Sequence, residues 1–388
     1  MNCEYIAQNL KRLRCLAGLS QQALADEAGL SRSGYRKIEN GQNRAPRVAS
    51  LKALARVLEV GLNDLLAPVR PLEKVRFRSL KRLKNRDQVL AEVAAWLRDF
   101  SELEALTQAA TSHCLAKLWK VARSPGGADI AALAAATRRV FGLNEEEPVH
   151  DICGLLEARG IKVRSVHVAT DAFMGMCVGA DEPGGPAVIV NTWPRLPVET
   201  WIFSAAHELA HLILHLSSFD VSERDEDERE EREANEFASH FLMPEAAFRS
   251  EWNDTAGLPL VDRVMKVKRV FRVSWRTVLF RVAQDLPAER RSTLWQRFNL
   301  EFRKRNNRSL LKHDEPEGVA AALYDSTFEY RSAGYEPAGL DGHDFREDRM
   351  ALLVRRAVEQ EKLSMSRAAE ILRIPKREMR DLTASWAV

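Results

Sequence analysis

The chain contains 388 residues, of which 45% are hydrophobic and 29% charged, and its formal net charge is +3. This length exceeds one ordinary domain, and the apolar fraction is sufficient for more than one core. No apolar run approaches the roughly 18 residues of a membrane span, and the opening residues are too polar for a signal peptide. The five scattered cysteines show no CxxC spacing and predict no structural disulfide. These features argue against a membrane or secreted protein, and we expect a multidomain protein in the cytoplasm.

The first recognisable motif is a pair of short helices near the N-terminus. The segment LSQQALADEAGLSRSGYRKIENGQ spans residues 19–42, where Ser20 can cap one helix, Gly29 can form the turn, and Ser31 can cap the next helix. This pattern resembles the XRE, or lambda-repressor-like, helix-turn-helix family over about residues 5–67.

The resemblance implies that the second helix enters the major groove of double-stranded DNA with its first residues over base edges. The base-edge candidates are Arg32, Ser33 and Arg36, and the candidates for phosphate contact are Gln21 and Asn40. Gly34 departs from the pattern, because glycine inside a helix costs about 1 kcal/mol relative to alanine. DNA-binding domains of this kind usually bind two half-sites, so we expect a homodimer.

The distribution of charge supports DNA binding by the N-terminal part. Residues 1–90 hold 18 Lys or Arg and 8 Asp or Glu, a net of +10, although the whole chain carries only +3. Residues 70–86 hold eight of these basic residues and a single acid. This stretch is interpreted either as a phosphate-contacting segment or as a solvated linker helix.

A second motif, HELAH, occupies residues 207–211. On a helix, positions i and i+4 lie on one face, so His207 and His211 can direct both imidazoles at one metal ion while Glu208 lies beside them. The flanking residues are apolar, which suits a buried helix. A metzincin would continue with glycine and a third histidine, but Leu214 and Ser217 stand at those positions.

A catalytic zinc of the His-His-Glu type needs a carboxylate from a separate helix and keeps one position open for water. The phrase EANEFA at 233–238 follows at suitable spacing, and Glu233 is the predicted ligand. Glu230 and Glu236 are acidic alternatives, each three residues away, but only Glu233 fits the phrase. Zinc would lower the pKa of its water to roughly 7, and Glu208 would take the proton and pass it to the leaving amine.

The two segments FSAAHELAHLILH and EREANEFASHFLMP together resemble the ImmA/IrrE metallopeptidase family, and the resemblance covers roughly residues 130–283. It implies one Zn²⁺ per chain held by His207, His211 and Glu233, with Glu208 as the general base. Members often carry threonine and arginine where this chain has Ser204 and Thr200, which affects substrate fit rather than the chemistry.

The fold class that follows is α+β, multidomain and mostly helical. The predicted domains are a helix-turn-helix domain (1–68), a basic helical connector (69–128), a metallopeptidase domain with a small sheet (129–285), and a helical C-terminal region (286–388). Strand-like VRSVHV, FMGMCVG and AVIVNTW precede the metal helices. Residues 364–382 look like a second, degenerate helix-turn-helix, for which domain packing is the main alternative to DNA contact.

Two classes of function are compatible with these motifs. The first is a DNA-binding regulatory zinc metalloprotease that cuts a transcriptional repressor, or itself, to relieve repression in a stress or mobile-element response, as the resemblance implies. The second is a transcription regulator whose protease-like domain serves as a sensor or partner-binding module without turnover. The complete ligand set and Glu208 favour the first class.

Overall fold

The computed structural model describes residues 3–58, 60–66, 72–77, 86–122, 129–219, 227–316 and 339–386. Within these ranges the chain forms eighteen α-helices and one four-stranded sheet, which confirms the mostly helical α+β prediction. Two compact units are present. Unit 1 comprises Met1–Glu73, Leu83–Ala110 and Arg349–Val388, and unit 2 comprises Lys74–Arg82 and Thr111–Asp348.

The elements are taken in chain order. The first five helices are α1 (Cys3–Leu16), α2 (Gln21–Glu27), α3 (Arg32–Glu39), α4 (Val48–Val57) and α5 (Leu62–Leu66). There follow β1 (Val75–Phe77), α6 (Arg86–Thr107), α7 (Leu115–Ala122), α8 (Ile130–Phe141), α9 (Ile152–Glu157), β2 (Lys162–Val166), β3 (Gly175–Val178) and β4 (Ala187–Asn191). The remaining helices are α10 (Val198–Leu214), α11 (Glu228–Leu242), α12 (Glu245–Asp254), α13 (Leu260–Phe271), α14 (Trp275–Gln284), α15 (Ala288–Asn306), α16 (Arg349–Glu359), α17 (Met365–Leu372) and α18 (Lys376–Ser385).

The helix-turn-helix in unit 1 has the predicted caps and turn. Ser20 Oγ accepts a hydrogen bond from the Ala23 amide, and Ser31 Oγ accepts one from the Gly34 amide. Gly29 adopts a φ of +68°, which is the left-handed conformation that a tight turn requires. Apolar faces of α1 to α5 meet in one small core, which contains Ile6, Leu10, Leu24, Tyr35, Ile38, Leu51, Leu54 and Leu65.

The predicted connector and C-terminal region are each divided between the two units. In unit 1, α6 packs against α16, and Arg367 at the start of α17 binds Asp99 of α6 at 2.8 Å. Helices α17 and α18 form the short pair predicted for 364–382, with Arg373 in the left-handed conformation between them. The packing of this pair in unit 1 accounts for its apolar residues, and DNA contact by it stays a prediction.

The sheet lies in unit 2 in the order β1-β3-β4-β2. β2 runs parallel to β4, while β3 runs antiparallel to both β4 and β1. Helix α10 packs on β3 and β4, and α11 packs against both α10 and α8. Every residue of β3 and β4 is buried, so one face of α10 is fixed against a rigid layer. No helix among the described residues is long and apolar enough to cross a membrane.

Two buried polar groups fix the helices around α10 and α11. Arg138 of α8, which is 1% exposed, donates to the carbonyls of Phe241 and Asn144, both at 2.7 Å. Lys268 of α13 lies 2.9 Å from a carboxylate oxygen of Glu199, in the first turn of α10, and 2.9 Å from one of Glu315. Burial raises the pKa of Glu315 to about 7, against the opposing effect of Lys268.

Candidate metal centre

The HELAH motif lies within α10, on its buried side. His207 and His211 are 2% and 1% exposed, and their Nε2 atoms are 3.0 Å apart. The spacing of four residues places one imidazole above the other along the helix, as the sequence predicts. Burial holds the pKa of His211 well below its usual value, so its imidazole is neutral, as a metal ligand must be.

The third member of this cluster is Glu231 of α11. Its Oε2 lies 3.4 Å from His207 Nε2, and its Oε1 lies 3.3 Å from His211 Nε2. One ligand atom from each of His207, His211 and Glu231 lies within 4.8 Å of the others, and among the described residues this is the group suited to a metal ion. Burial alone would raise the pKa of Glu231, but the contacts with both histidines outweigh it and lower the pKa.

Glu233, the ligand predicted from the sequence, is not part of this group. Its Oε2 lies 3.1 Å from His215 Nε2, and its Oε1 accepts a hydrogen bond from Arg229 at 2.7 Å. Two residues along a helix correspond to a rotation of about 200°, so Glu231 and Glu233 leave α11 on nearly opposite sides. The structure therefore places Glu231 where the sequence predicts Glu233.

A signal for Glu231 is present in the sequence. Glu231 lies three, seven and eleven residues before Ala234, Ala238 and Leu242, which are all fully buried. This spacing puts Glu231 on the apolar face of the helix. Glu230, one residue earlier, shares this face, so the amphipathic pattern of α11 favours these two glutamates over the match to the EAN phrase but does not choose between them.

The side chains around the histidines fit a metal ion of the zinc type. His207 Nδ1 lies 3.0 Å from Asn235 Oδ1. Because an amide oxygen only accepts, His207 donates from Nδ1 and keeps the lone pair of Nε2 for a metal. Two imidazole nitrogens and one carboxylate form the donor set of a catalytic zinc site. Asn235 was not predicted as a site residue, although it belongs to the EAN phrase.

Glu208 lies beside this cluster and is 1% exposed. It packs against β3, where a Cβ at Gly175 would lie 3.0 Å from Glu208 Oε1, so glycine makes room for the carboxylate. The thiol of Cys177, also on β3, is hydrogen-bonded to Glu208. Glu208 is thus held beside the cluster by contacts with the sheet.

His215, at the end of α10, joins the cluster to Glu233. Its Nδ1 lies 2.8 Å from His211 Nδ1 while its Nε2 faces Glu233. Its position in the sequence predicts a helix-end residue too far along the axis to be a ligand, and His215 does end α10 as the C-cap. His215 thus contacts Nδ1 of His211, the ring nitrogen that faces away from the cluster.

Most of the predicted DNA contacts lie on the surface of unit 1. Arg32, Ser33, Arg36 and Asn40 are exposed, the first three on α3. Gln21 is half-buried, and its amide donates to Glu39 Oε1 at 3.1 Å, so its side chain also supports the fold.

The placement of α3 depends on an ion pair that was not predicted from the sequence. Arg14 of α1 donates from Nε and from a terminal nitrogen to the two carboxylate oxygens of Glu39, each at 2.9 Å. Arg14 also donates to the Leu19 carbonyl at 2.9 Å. A Cβ at position 34 would lie 2.9 Å from the capping Ser31 Oγ, so a larger residue there would require this hydroxyl to shift.

Two parts of the chain match known protein families. Residues 157–283 match the family model described as the IrrE N-terminal-like domain, Peptidase_M78. Residues 10–65 match the helix-turn-helix model HTH_3. These two matches agree with the predicted combination of a helix-turn-helix domain and an IrrE/ImmA-like domain.

The IrrE N-terminal-like domain contains α10, α11 and β2 to β4, and therefore every residue of the His207, His211 and Glu231 cluster. The helix-turn-helix domain contains α2 and α3 with all the predicted DNA-contacting residues. The chain thus joins a DNA-binding domain to a metallopeptidase-type domain. No protein with curated annotation matches the chain.

Proposed function

We propose that this protein is a regulatory zinc metallo-endopeptidase that carries its own DNA-binding domain and hydrolyses a peptide bond in a transcriptional repressor or in itself. The observation that supports this proposal is the cluster of buried His207 and His211 with half-buried Glu231, beside which Glu208 lies. A purely structural role would not require two imidazoles and a carboxylate to face one another where they are largely withdrawn from water, since burial of such groups is costly.

The residues of the site have separate tasks. His207, His211 and Glu231 would hold zinc, and Asn235 keeps His207 in the tautomer that leaves Nε2 free. Bound zinc supplies Lewis-acid activation of a water molecule and of the peptide carbonyl. Glu208 would accept a proton from the attacking water and return it to the leaving amine, and its contacts with β3 hold the carboxylate beside the cluster.

We propose that the helix-turn-helix domain binds operator DNA and so links the protease activity to transcription. Arg32, Ser33 and Arg36 would lie over base edges in the major groove, and Asn40 and Gln21 would contact phosphate. Because such domains bind two half-sites of an operator, we expect the protein to be a homodimer. Since the operator would lie in cellular or mobile-element DNA, we expect the protein to act in the cytoplasm. Cleavage of a repressor would then relieve repression in a stress or defence response.

The test compares cells that express the wild-type chain with cells that express Glu208→Gln, by mass spectrometry of newly formed protein N-termini. We expect a new N-terminus within a DNA-binding repressor, or within this chain, that appears with the wild type and disappears in the variant. Glu228→Gln is the matched control, because Glu228 lies on α11 but its side chain is 92% exposed.

If cells with Glu208→Gln show the same protein N-termini and the same regulation as wild-type cells, the proposed protease activity is wrong. That result would support the second function, a transcription regulator whose metallopeptidase-type domain acts as a sensor or partner-binding module without turnover.

A further inference from the structure

The strand β1 covers the outer edge of β3, the strand that lies beside Glu208. The pairing is antiparallel, with Val75 opposite Val178, Arg76 opposite Cys177, and Phe77 opposite Met176. The Gly179 amide extends it by donating to the Lys74 carbonyl at 2.9 Å, and the Lys74 amide donates to Glu182 at 2.7 Å. A strand edge beside a catalytic carboxylate is therefore already paired with the chain's own backbone.

The side chain of Arg76 extends from this strand into the metal cluster. Its Nε lies 3.0 Å from His211 Nδ1, and its guanidinium lies 2.7 Å from Glu230 Oε2 and 3.7 Å from Glu231 Oε1. The side chain is only 10% exposed. One short segment thus combines backbone pairing along the edge with a charged side chain seated against the site.

These two kinds of contact are those by which a sheet edge recognises an extended peptide. The backbone bonds supply affinity, and the pockets for alternate side chains supply specificity. Here the pocket for the second residue of the strand is acidic, because Glu230 and Glu231 both face the guanidinium. Such a pocket selects a cationic side chain and disfavours an acidic one.

We propose that residues 74–77 are an internal occupant of the substrate-binding edge, and that the substrate is an extended segment with a cationic residue in the place of Arg76. The inference rests on the proposed function and deepens it. In the resting chain, β1 must leave β3 before a substrate can pair there. The chain before Lys74 and the chain from Leu83 to Ala110 belong to unit 1, so this stretch of unit 2 is connected at both ends to the unit that holds the DNA-binding domain.

The test measures binding of a fluorescein-labelled peptide with the sequence of residues 72–77, LEKVRF, to the full-length protein. EDTA is present, so that binding is followed without turnover. The variant Arg76→Pro cannot keep its own strand on the edge, because proline lacks the amide donor of a paired strand. We expect it to bind the peptide at least about tenfold more tightly than the unmodified chain, because the vacated edge no longer has a competing occupant.

Two comparisons make this result specific. A second variant, Arg76→Ala, keeps the backbone amide and loses only the guanidinium, and it should bind the peptide more tightly than the unmodified chain if Arg76→Pro proves unstable. The matched control is Arg232→Ala, because Arg232 lies on α11 with its side chain 71% exposed, and it should bind like the unmodified chain. A peptide with glutamate in the place of Arg76, LEKVEF, should bind Arg76→Pro at least about tenfold more weakly than LEKVRF.

Equal binding of LEKVRF by the unmodified chain and by both folded Arg76 variants would overturn the proposal, as would the absence of binding to all of them. Because the measurement needs neither metal nor cleavage, it does not depend on the outcome in cells. If cleavage depends on Glu208 but this peptide does not bind, the proposed protease activity stands and the proposal that β1 occupies the substrate-binding edge is wrong. Binding as expected without any cleavage would retain the peptide-binding edge and reject the protease.

Discussion

Replacement of Arg14 by alanine tests whether the recognition helix is held in place from α1. The substitution removes two hydrogen bonds to Glu39 and one to the Leu19 carbonyl. The side chain of Glu39 is only 2% exposed, so its carboxylate stays buried after the change. The Gln21 amide still donates to it, but that amide carries no positive charge.

The expected loss follows from the burial of the pair. Removal of one partner of a buried ion pair costs about 3–5 kcal/mol, because the other charge is left without compensation. The side chain of Arg14 is 14% exposed, so water reaches one side of the site, and the lower end of this range applies. A loss of about 3 kcal/mol corresponds to about a 100-fold increase in the population of the locally opened state.

Hydrogen–deuterium exchange of the full-length protein measures the population of this locally opened state at the amides of α3. Amides of α3 should exchange about 100-fold faster in Arg14→Ala than in the wild type. The control is Arg32→Ala, because Arg32 is exposed at the start of the same helix. It should change exchange by no more than about threefold, as for other surface substitutions. Exchange in Arg14→Ala within that same limit would refute the view that Arg14 positions α3.

Three further predictions concern the metal site, the core of unit 2 and DNA binding. Glu231→Gln should weaken zinc binding by more than about 100-fold, and Glu233→Gln by less than about tenfold, because Glu233 reaches the cluster only through His215. Competition with a chromogenic chelator measures both affinities, and equal losses would contradict the assignment of Glu231. For Glu315, burial raises the pKa from 4.5 to about 7, so its stabilising contribution is complete below pH 4.5 and is lost as the pH rises through 7. Glu315→Gln should remove about 2–3 kcal/mol of pH dependence from urea unfolding between pH 4.5 and 8, and an unchanged slope would rule this out. Arg36→Ala should cost about 1–3 kcal/mol of operator affinity and relax preference at one base pair, as measured by fluorescence anisotropy, and unchanged affinity would refute α3 as the recognition helix.

The sequence predicted the parts of both sites that depend on local spacing. Caps and a turn glycine at fixed offsets define the helix-turn-helix, and the i, i+4 relation brings His207 and His211 together wherever the helix packs. The metal ligand from α11 is different. Which face of α11 meets α10 depends on packing of the two helices, and a shift of two residues exchanges Glu231 for Glu233.

Long-range pairings were the least predictable part. The segment 70–86 was interpreted as a basic linker or a phosphate-contacting stretch, yet Val75–Phe77 within it pairs with a strand about one hundred residues later. Residues 78–85 lie outside the described residues. A three-residue strand has too little periodicity to be recognised, and the contact of Arg76 with His211 exists only once α10 and the sheet have assembled.

The most direct test of the metal centre is the metal content of the purified full-length protein, measured by elemental analysis beside the His207→Ala variant. The cluster of His207, His211 and Glu231 predicts about one zinc per chain in the wild type and almost none in a variant whose helical content is unchanged. Absence of metal from a zinc-supplemented wild type, or equal zinc in both proteins, would contradict the metal centre on which the proposed peptidase depends.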